Sequence, residues 1–145
     1  MIAIASDHGG FALKQELMER LRALNLEYED LGCYDSASVD YPVYADALCE
    51  GILAGRYEKG VLICGTGIGM SMAANKHPGI RAALCADCYS AQMAREHNDA
   101  NVLCLGGRTL GSELAKAILE IFLRTEFSGL EKHRRRISMF PDAQN

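Results

Sequence analysis

Val61-Leu62-Ile63-Cys64-Gly65-Thr66-Gly67-Ile68-Gly69-Met70-Ser71 decides how the chain is read. Its first residues are apolar and β-branched, the pattern of a strand buried on both faces. Glycines then alternate with other residues, which reads as a tight turn opening a helix. Cys64 is therefore placed at the carboxyl end of a strand, and the amides of residues 65–69 lie where a turn or helix start can hold an anion. A reactive group and an anion cradle arise from one turn.

Spacing separates this turn from other glycine loops. A nucleotide-hydrolase phosphate loop needs Gly-Lys-Ser/Thr after four residues, and no lysine lies between Gly65 and Ser71. A dinucleotide fingerprint needs G-x-G-x-x-G, usually after the first strand, whereas here the third glycine comes one residue early on a later strand. The bland alternative is an inert turn with Cys64 as a small core residue.

Strand-like and helix-like segments alternate on either side. Strands are expected at 2–5, 27–31, 81–85 and 102–105 besides the one ending at Cys64. Leu13, Leu17, Leu21 and Leu24 form the stripe of a first helix. Asp40 is read as the cap of a second, with Pro42 in its first turn and Ala45, Leu48, Cys49 and Ile52 inside. The helix after the glycine turn runs toward Asn75 and stops at Pro78-Gly79; a short one spans about 89–96. A further helix buries Leu114, Ala117, Ile118, Ile121 and Phe122, and residues 131–140 form a last helix leaving the body. This order predicts an α/β fold: three layers, α/β/α and Rossmann-like, with a mostly parallel sheet of about five strands. One domain over 1–145 is expected, with a helical tail from about 131.

Composition bounds the function. The chain has 145 residues, 49% hydrophobic and 23% charged, with a net charge of −4. That balance argues against general nucleic-acid binding, which needs accumulated positive charge. No apolar run is long enough to span a membrane, and Met1 leads straight into a strand rather than a leader, so a cytoplasmic protein is expected. The six cysteines then read as free thiols. Cys85-Ala86-Asp87-Cys88 is the one C-x-x-C. A zinc site wants a second Cys/His pair, and none is visible, so no metal is expected. A redox role stays open as a rival, although Asp87 does nothing to stabilise a neighbouring thiolate.

In a parallel sheet, ligands gather outside the carboxyl ends of the strands. The loops there are 6–10, the Cys64 turn, 86–90 and 106–108. Asp7 and His8 should face the same crevice as Cys64; the alternative makes Asp7 a helix cap and His8 an exposed polar residue.

Ser6-Asp7-His8-Gly9-Gly10-Phe11, Asp40-Tyr41-Pro42, Ile63-Cys64-Gly65-Thr66-Gly67-Ile68-Gly69, Ala74-Asn75-Lys76, Gly79-Ile80-Arg81-Ala82, Tyr89-Ser90-Ala91, His97-Asn98-Asp99-Ala100-Asn101-Val102 and Gly106-Gly107-Arg108 occur in order over nearly the whole chain. Together they resemble the type B ribose-5-phosphate isomerase family, which also holds galactose-6-phosphate and allose-6-phosphate isomerases. The resemblance implies cofactor-free aldose–ketose interconversion of a phosphorylated sugar through an enediolate. It implies Cys64 as the base between the two carbons, His97 as the ring-opening acid, Asp7 for hydroxyl and ring-oxygen protons, and Thr66 in support. It implies Gly65, Gly67, Ile68, Gly69 and Ser71 around the enediolate. His8, Tyr41, Asn98, Arg108, Lys132 and Arg136 match positions that bind substrate or its phosphate.

A thiol is mostly protonated at neutral pH, so a thiol base needs local donors, and the turn's amides are placed to supply them and to oppose enediolate charge. The tail departs from the family pattern: Leu130-Glu131-Lys132-His133 stands where relatives have Gly-Gly-Arg-His. Lysine lacks the bidentate fork of arginine, so phosphate grip or sugar length is expected to differ. In a helix, Lys132 and Arg136 share one face; the alternative is a solvated basic tail.

His97 precedes the fifth strand, so it belongs at the amino edge of the sheet, opposite its own Cys64. Read blandly it is a dipole partner at a helix end. If it is catalytic, a second subunit must bring it over, which predicts a homodimer with shared sites, or a tetramer containing it. The leading expectation is interconversion of ribose 5-phosphate and ribulose 5-phosphate, with allose 6-phosphate, galactose 6-phosphate or a tetrose 4-phosphate as alternatives. A thiol redox protein or a nucleotide-binding regulatory domain are the rivals of other classes.

Overall fold

The computed structural model describes residues 1–141; the last four residues of the expected unit lie outside the described residues. The elements are β1 (Ile2–Ser6), α1 (Phe11–Ala23), β2 (Tyr28–Asp30), α2 (Tyr41–Leu53), β3 (Lys59–Cys64), α3 (Ile68–Ala74), β4 (Ala82–Leu84), α4 (Cys88–Glu96), β5 (Val102–Gly106), α5 (Ser112–Arg124) and α6 (Glu131–Ser138). The strands form one sheet in the order β2-β1-β3-β5-β4, and every pairing is parallel. The three-layer α/β/α expectation is what the structure has.

Side-chain alternation along the three central strands divides the core in two. Ile4, Val61, Ile63, Leu103 and Leu105 pack against α1, α4 and α5 on one face. Ala3, Ala5, Leu62, Cys64, Val102 and Cys104 pack against α2 and α3 on the other. Both faces are covered, so these strands read as continuous apolar runs. β2 and β4 are short edges of three residues each, which limits the unpaired backbone on offer to another chain.

Three helix details differ from the sequence reading. In α5 the buried residues are Ala115, Ile118, Leu119 and Phe122, while Leu114 is exposed and Ala117 and Ile121 are half-buried. Two stripes of helical spacing pass through Ile118 and Phe122, and contact with the sheet selects the one with Ala115 and Leu119. In α2, Gly51 is buried and Ile52 only half-buried, because the Tyr57 ring lies where a side chain at 51 would stand. Asp40 occupies the N-cap of α2 in extended conformation but makes no side-chain capping bond.

The strand order places the site. Starting from β1, the chain moves to one side for β2 and to the other for β3, so a crevice opens between the carboxyl ends of β1 and β3. Asp7 leaves β1 there and Cys64 ends β3 there.

Candidate active site

Three loops meet at the carboxyl edge with almost no side chain between them. A methyl built on Gly10 would lie 2.5 Å from the Ile63 carbonyl oxygen, and one on Gly107 would lie 2.7 Å from that of Gly9. Only glycine lets these backbones approach so closely. Asp7 N–H donates to Ile63 O, Gly107 N–H to Cys64 O and Arg108 N–H to Gly65 O, at 3.1, 2.8 and 2.9 Å. The floor is thus main chain on main chain.

Cys64 lies on that floor, 5% exposed, and the Gly67 N–H donates to its sulfur at 3.1 Å. Gly67 makes this turn at φ +79°, a conformation that favours glycine. Ile68 N–H donates to Thr66 Oγ1, and Ser71 Oγ turns back onto Ile68 O at 2.7 Å. α3 has only seven residues, so the cradle consists of turn amides rather than the end of a long helix.

Around this floor stand the other residues of the carboxyl edge. Asp7 is buried and its Oδ1 accepts from Gly10 N–H at 3.1 Å, so the carboxylate braces the turn as well as facing the crevice. Val39 N–H donates to His8 Nδ1 at 3.2 Å, which leaves the neutral ring's proton on Nε2. The Tyr41 ring lies against Gly69, and the Arg108 guanidinium lies over Gly65. Asp7, His8, Tyr41, Cys64 through Ser71 and Arg108 therefore share one rim.

His97, Asn98, Lys132 and Arg136 do not join them within the chain. Gly60 pairs with Val102 and Cys64 with Gly106, so the loop before β5 lies about 13 Å below the thiol at about 3.3 Å per residue. His97 ends α4 there, exposed beside the exposed Asn98. Their turn is braced by two arginines. Arg95, 5% exposed, donates to Asp99 Oδ1, Ala100 O and Thr125 O, and Arg81 donates to Asn98 O and to Asp99. Asp99 itself sits at φ +46°, a conformation uncommon outside glycine, asparagine and aspartate.

Sequence reasoning missed this brace, and it missed His133. That ring stacks on His97 with centroids 4.2 Å apart and is the one buried residue of α6. Burial, with the His97, Lys132 and Arg136 charges behind it, pushes its pKa down against the opposing pull of Glu96. Lys14 was missed too. It is fully buried and donates to Asp30 Oδ1 and the Cys33 carbonyl, anchoring the 31–39 loop that reaches His8. Its signal was legible: Lys14, Met18 and Leu21 continue the apolar face of α1 at helical spacing.

At the C-x-x-C the surroundings disfavour a thiolate at Cys85. Burial, with Asp87 adding to it, pushes Cys85 up to about 11, far from the thiolate that redox chemistry needs. Asp87 caps α4 through Ser90 N–H and Oγ. Among the described residues, no cluster of His, Cys, Asp or Glu is arranged to hold a metal ion, and no helix is long and apolar enough to cross a membrane.

A thiol under a main-chain donor, a buried carboxylate on the adjacent strand end and a cation at the rim suit proton transfer on a small anionic molecule. Comparison with known proteins narrows this class. The family model described as Ribose/Galactose Isomerase matches residues 2–140, and the chain belongs to that family. Ribose-5-phosphate isomerase B of Escherichia coli is 45% identical over 136 residues, covering 94% of this chain and 91% of that one. D-erythrulose-4-phosphate isomerase of Pectobacterium atrosepticum is 45% identical over 130 residues, covering 88% and 85%. The solved structure of Clostridium thermocellum ribose-5-phosphate isomerase B superposes with a TM-score of 0.92 at 47% identity, covering 94% and 92%. The chain is a sugar-phosphate isomerase.

Proposed function

We propose that the substrate pair is ribose 5-phosphate and ribulose 5-phosphate, interconverted with Cys64 as the base. The observation that carries this reading is the Gly67 N–H aimed at Cys64 sulfur from within the glycine turn. The thiolate takes the proton from C2 of the open-chain aldose and returns it to C1, while a proton passes from the C2 hydroxyl to the C1 oxygen. Asp7, beside the thiol, handles that oxygen-bound proton, and Thr66 supports the turn. The amides of 65–69, with Ile68 and Ser71 shaping the helix start, oppose charge on the enediolate oxygens as it forms. This scheme calls on no cofactor.

Ribose 5-phosphate is mostly a closed furanose, so an acid must help to open it. His97 is assigned that step, and Asn98, Lys132 and Arg136 bind from the same side, facing His8, Tyr41 and Arg108. The distance between the two edges calls for a homodimer in which each site takes Cys64 from one copy and His97 from the other, alone or within a tetramer. One domain spanning the chain, working in the cytoplasm, completes the proposal. A tetrose 4-phosphate is the second reading, favoured by the Pectobacterium relative and left open by lysine at 132.

A panel of four-, five- and six-carbon sugar phosphates, followed for aldose–ketose exchange, tests the substrate. Fastest turnover of ribose 5-phosphate is expected; faster turnover of another member replaces it. Mixing inactive Cys64→Ala and His97→Ala chains tests the shared site. Random pairing makes about half the dimers mixed, each with one intact site, so activity recovers to roughly a quarter of wild type. Recovery near zero, with heterodimers confirmed by native mass spectrometry, defeats the shared-site model.

A further inference from the structure

α6 carries Lys132 and Arg136 on its exposed side, yet only one of its residues is buried, and that residue is His133 at 5% exposure. The imidazole faces His97 with centroids 4.2 Å apart and planes tilted by 33°. Its Nδ1 meets Ser128 Oγ at 2.6 Å. That oxygen already accepts from Leu130 N–H, so its own proton is available to Nδ1, and Ser128 N–H in turn donates to Glu96 O, the residue before His97. A closed circuit therefore runs from the end of α4 through Ser128 and His133 back to the His97 ring.

We propose that His133 is a positioning residue that fixes His97 and the α6 cations as one rigid unit, to be presented to the pocket of a second copy. The proposal rests on the ring-opening role assigned to His97. Two consequences follow from the geometry. Without the His133 ring, the His97 imidazole loses the ring stacked on it, so the acid is misplaced for a step that closed-ring sugars need. Without the same ring, α6 loses its one buried anchor, so Lys132 and Arg136 are misplaced for every phosphorylated substrate.

The test uses the full chain and the variants His133→Ala, His133→Phe and Ser128→Ala, each checked for folding by its melting transition. A tetrose 4-phosphate has no free hydroxyl with which to close a furanose, so it reports on α6 without ring opening. With ribose 5-phosphate, His133→Ala is expected to lower kcat about 10- to 100-fold, the scale of a misplacement of about 1 Å. With the tetrose 4-phosphate, only KM should rise, with kcat within about twofold. His133→Phe keeps a flat ring on His97 and should recover most of the lost kcat, while Ser128→Ala should fall between.

A second measurement needs no substrate. The His97 ring proton resonance should lose its ring-current shift in His133→Ala and keep one in His133→Phe. Equal kcat losses for both sugars, or His133→Phe no better than His133→Ala, would overturn the positioning role. So would a His97 resonance indifferent to residue 133. Should the wild-type chain turn over no sugar phosphate, the proposed function fails on its own, and the resonance still decides whether the stack holds His97.

Discussion

The carboxyl edge of the sheet is built by backbone against backbone; the turn that carries His97 at the amino edge is held by side chains. Gly9, Gly10 and Gly107 press main chain against main chain under Cys64, and each partner there is fixed by a strand end. His97 and the α6 cations depend instead on two arginines, one aspartate and a stacked histidine. Backbone placement comes with the fold and leaves little to adjust. Side-chain placement can be adjusted, which suits the proposed fit to a second copy. Under the proposed function, proton transfer between carbons belongs to the first edge and ring opening to the second.

Cys64→Ala offers the sharpest break. It should lower turnover of every sugar by about 10²–10⁴-fold, the range of a general base, and abolish deuterium uptake from solvent at the sugar carbon. Uptake at the wild-type rate would move the base elsewhere on the carboxyl edge. His97→Ala should separate the edges by substrate: about 10²-fold loss on ribose 5-phosphate, and less than about threefold on a tetrose 4-phosphate. Equal losses would erase the division of labour.

Stability sharpens the same contrast. Gly10→Ala should cost about 1–3 kcal/mol in urea unfolding, because its methyl meets the Ile63 carbonyl oxygen at 2.5 Å. Gly111→Ala, with nothing within 4 Å of the added methyl, should cost less, about 0.5–1 kcal/mol for the weaker N-cap of α5. A cheap Gly10→Ala would mean that the floor yields.

Acid in the histidine range should loosen the amino edge first. Folding lowers the His133 pKa from its usual 6.5, through burial first and then His97, Lys132 and Arg136, with Glu96 opposing. The folded state therefore prefers the neutral ring. Its contribution is complete above about pH 6.5 and is lost as pH falls through the lower folded value. Amide exchange in α6 should accelerate relative to β3 as pH drops, after correction for intrinsic exchange rates. Parallel behaviour of the two would refute the claim. The smallest effect belongs to Cys85→Ser, expected within about twofold of wild-type activity, because burial pushes that thiol up to about 11. A large loss would revive the redox reading.

Much of this contrast was legible before any coordinates. The apolar runs of β1, β3 and β5 set a buried parallel sheet, and the rule that ligands gather at strand carboxyl ends put Asp7, His8 and Cys64 together. The place of His97 before β5 put it at the far edge. Less legible was the strand order, since the chain steps past the position that β5 later fills and lays β4 outside it. Local patterns carry no sign of that step. The register of α5 was ambiguous because two apolar stripes share Ile118 and Phe122. The His133 stack on His97 and the Arg81 contact with Asp99 join residues distant in sequence, and neither leaves a periodic trace. The Cys64 turn spoke clearly because there sequence neighbours are also spatial neighbours.

The seating of the three glycine loops also bears on how such an enzyme can be retooled. A floor with no room for a methyl group admits no new side chain, so a change of sugar cannot be engineered from beneath. Variation has to enter at the rim. Under the proposed phosphate grip, positions 132 and 136, on a helix held by one buried ring, are the natural places to lengthen or shorten the reach. A redesign for shorter or longer sugars that left residues 6–10, 64–69 and 106–107 untouched would keep the proton-transfer chemistry while changing what is delivered to it.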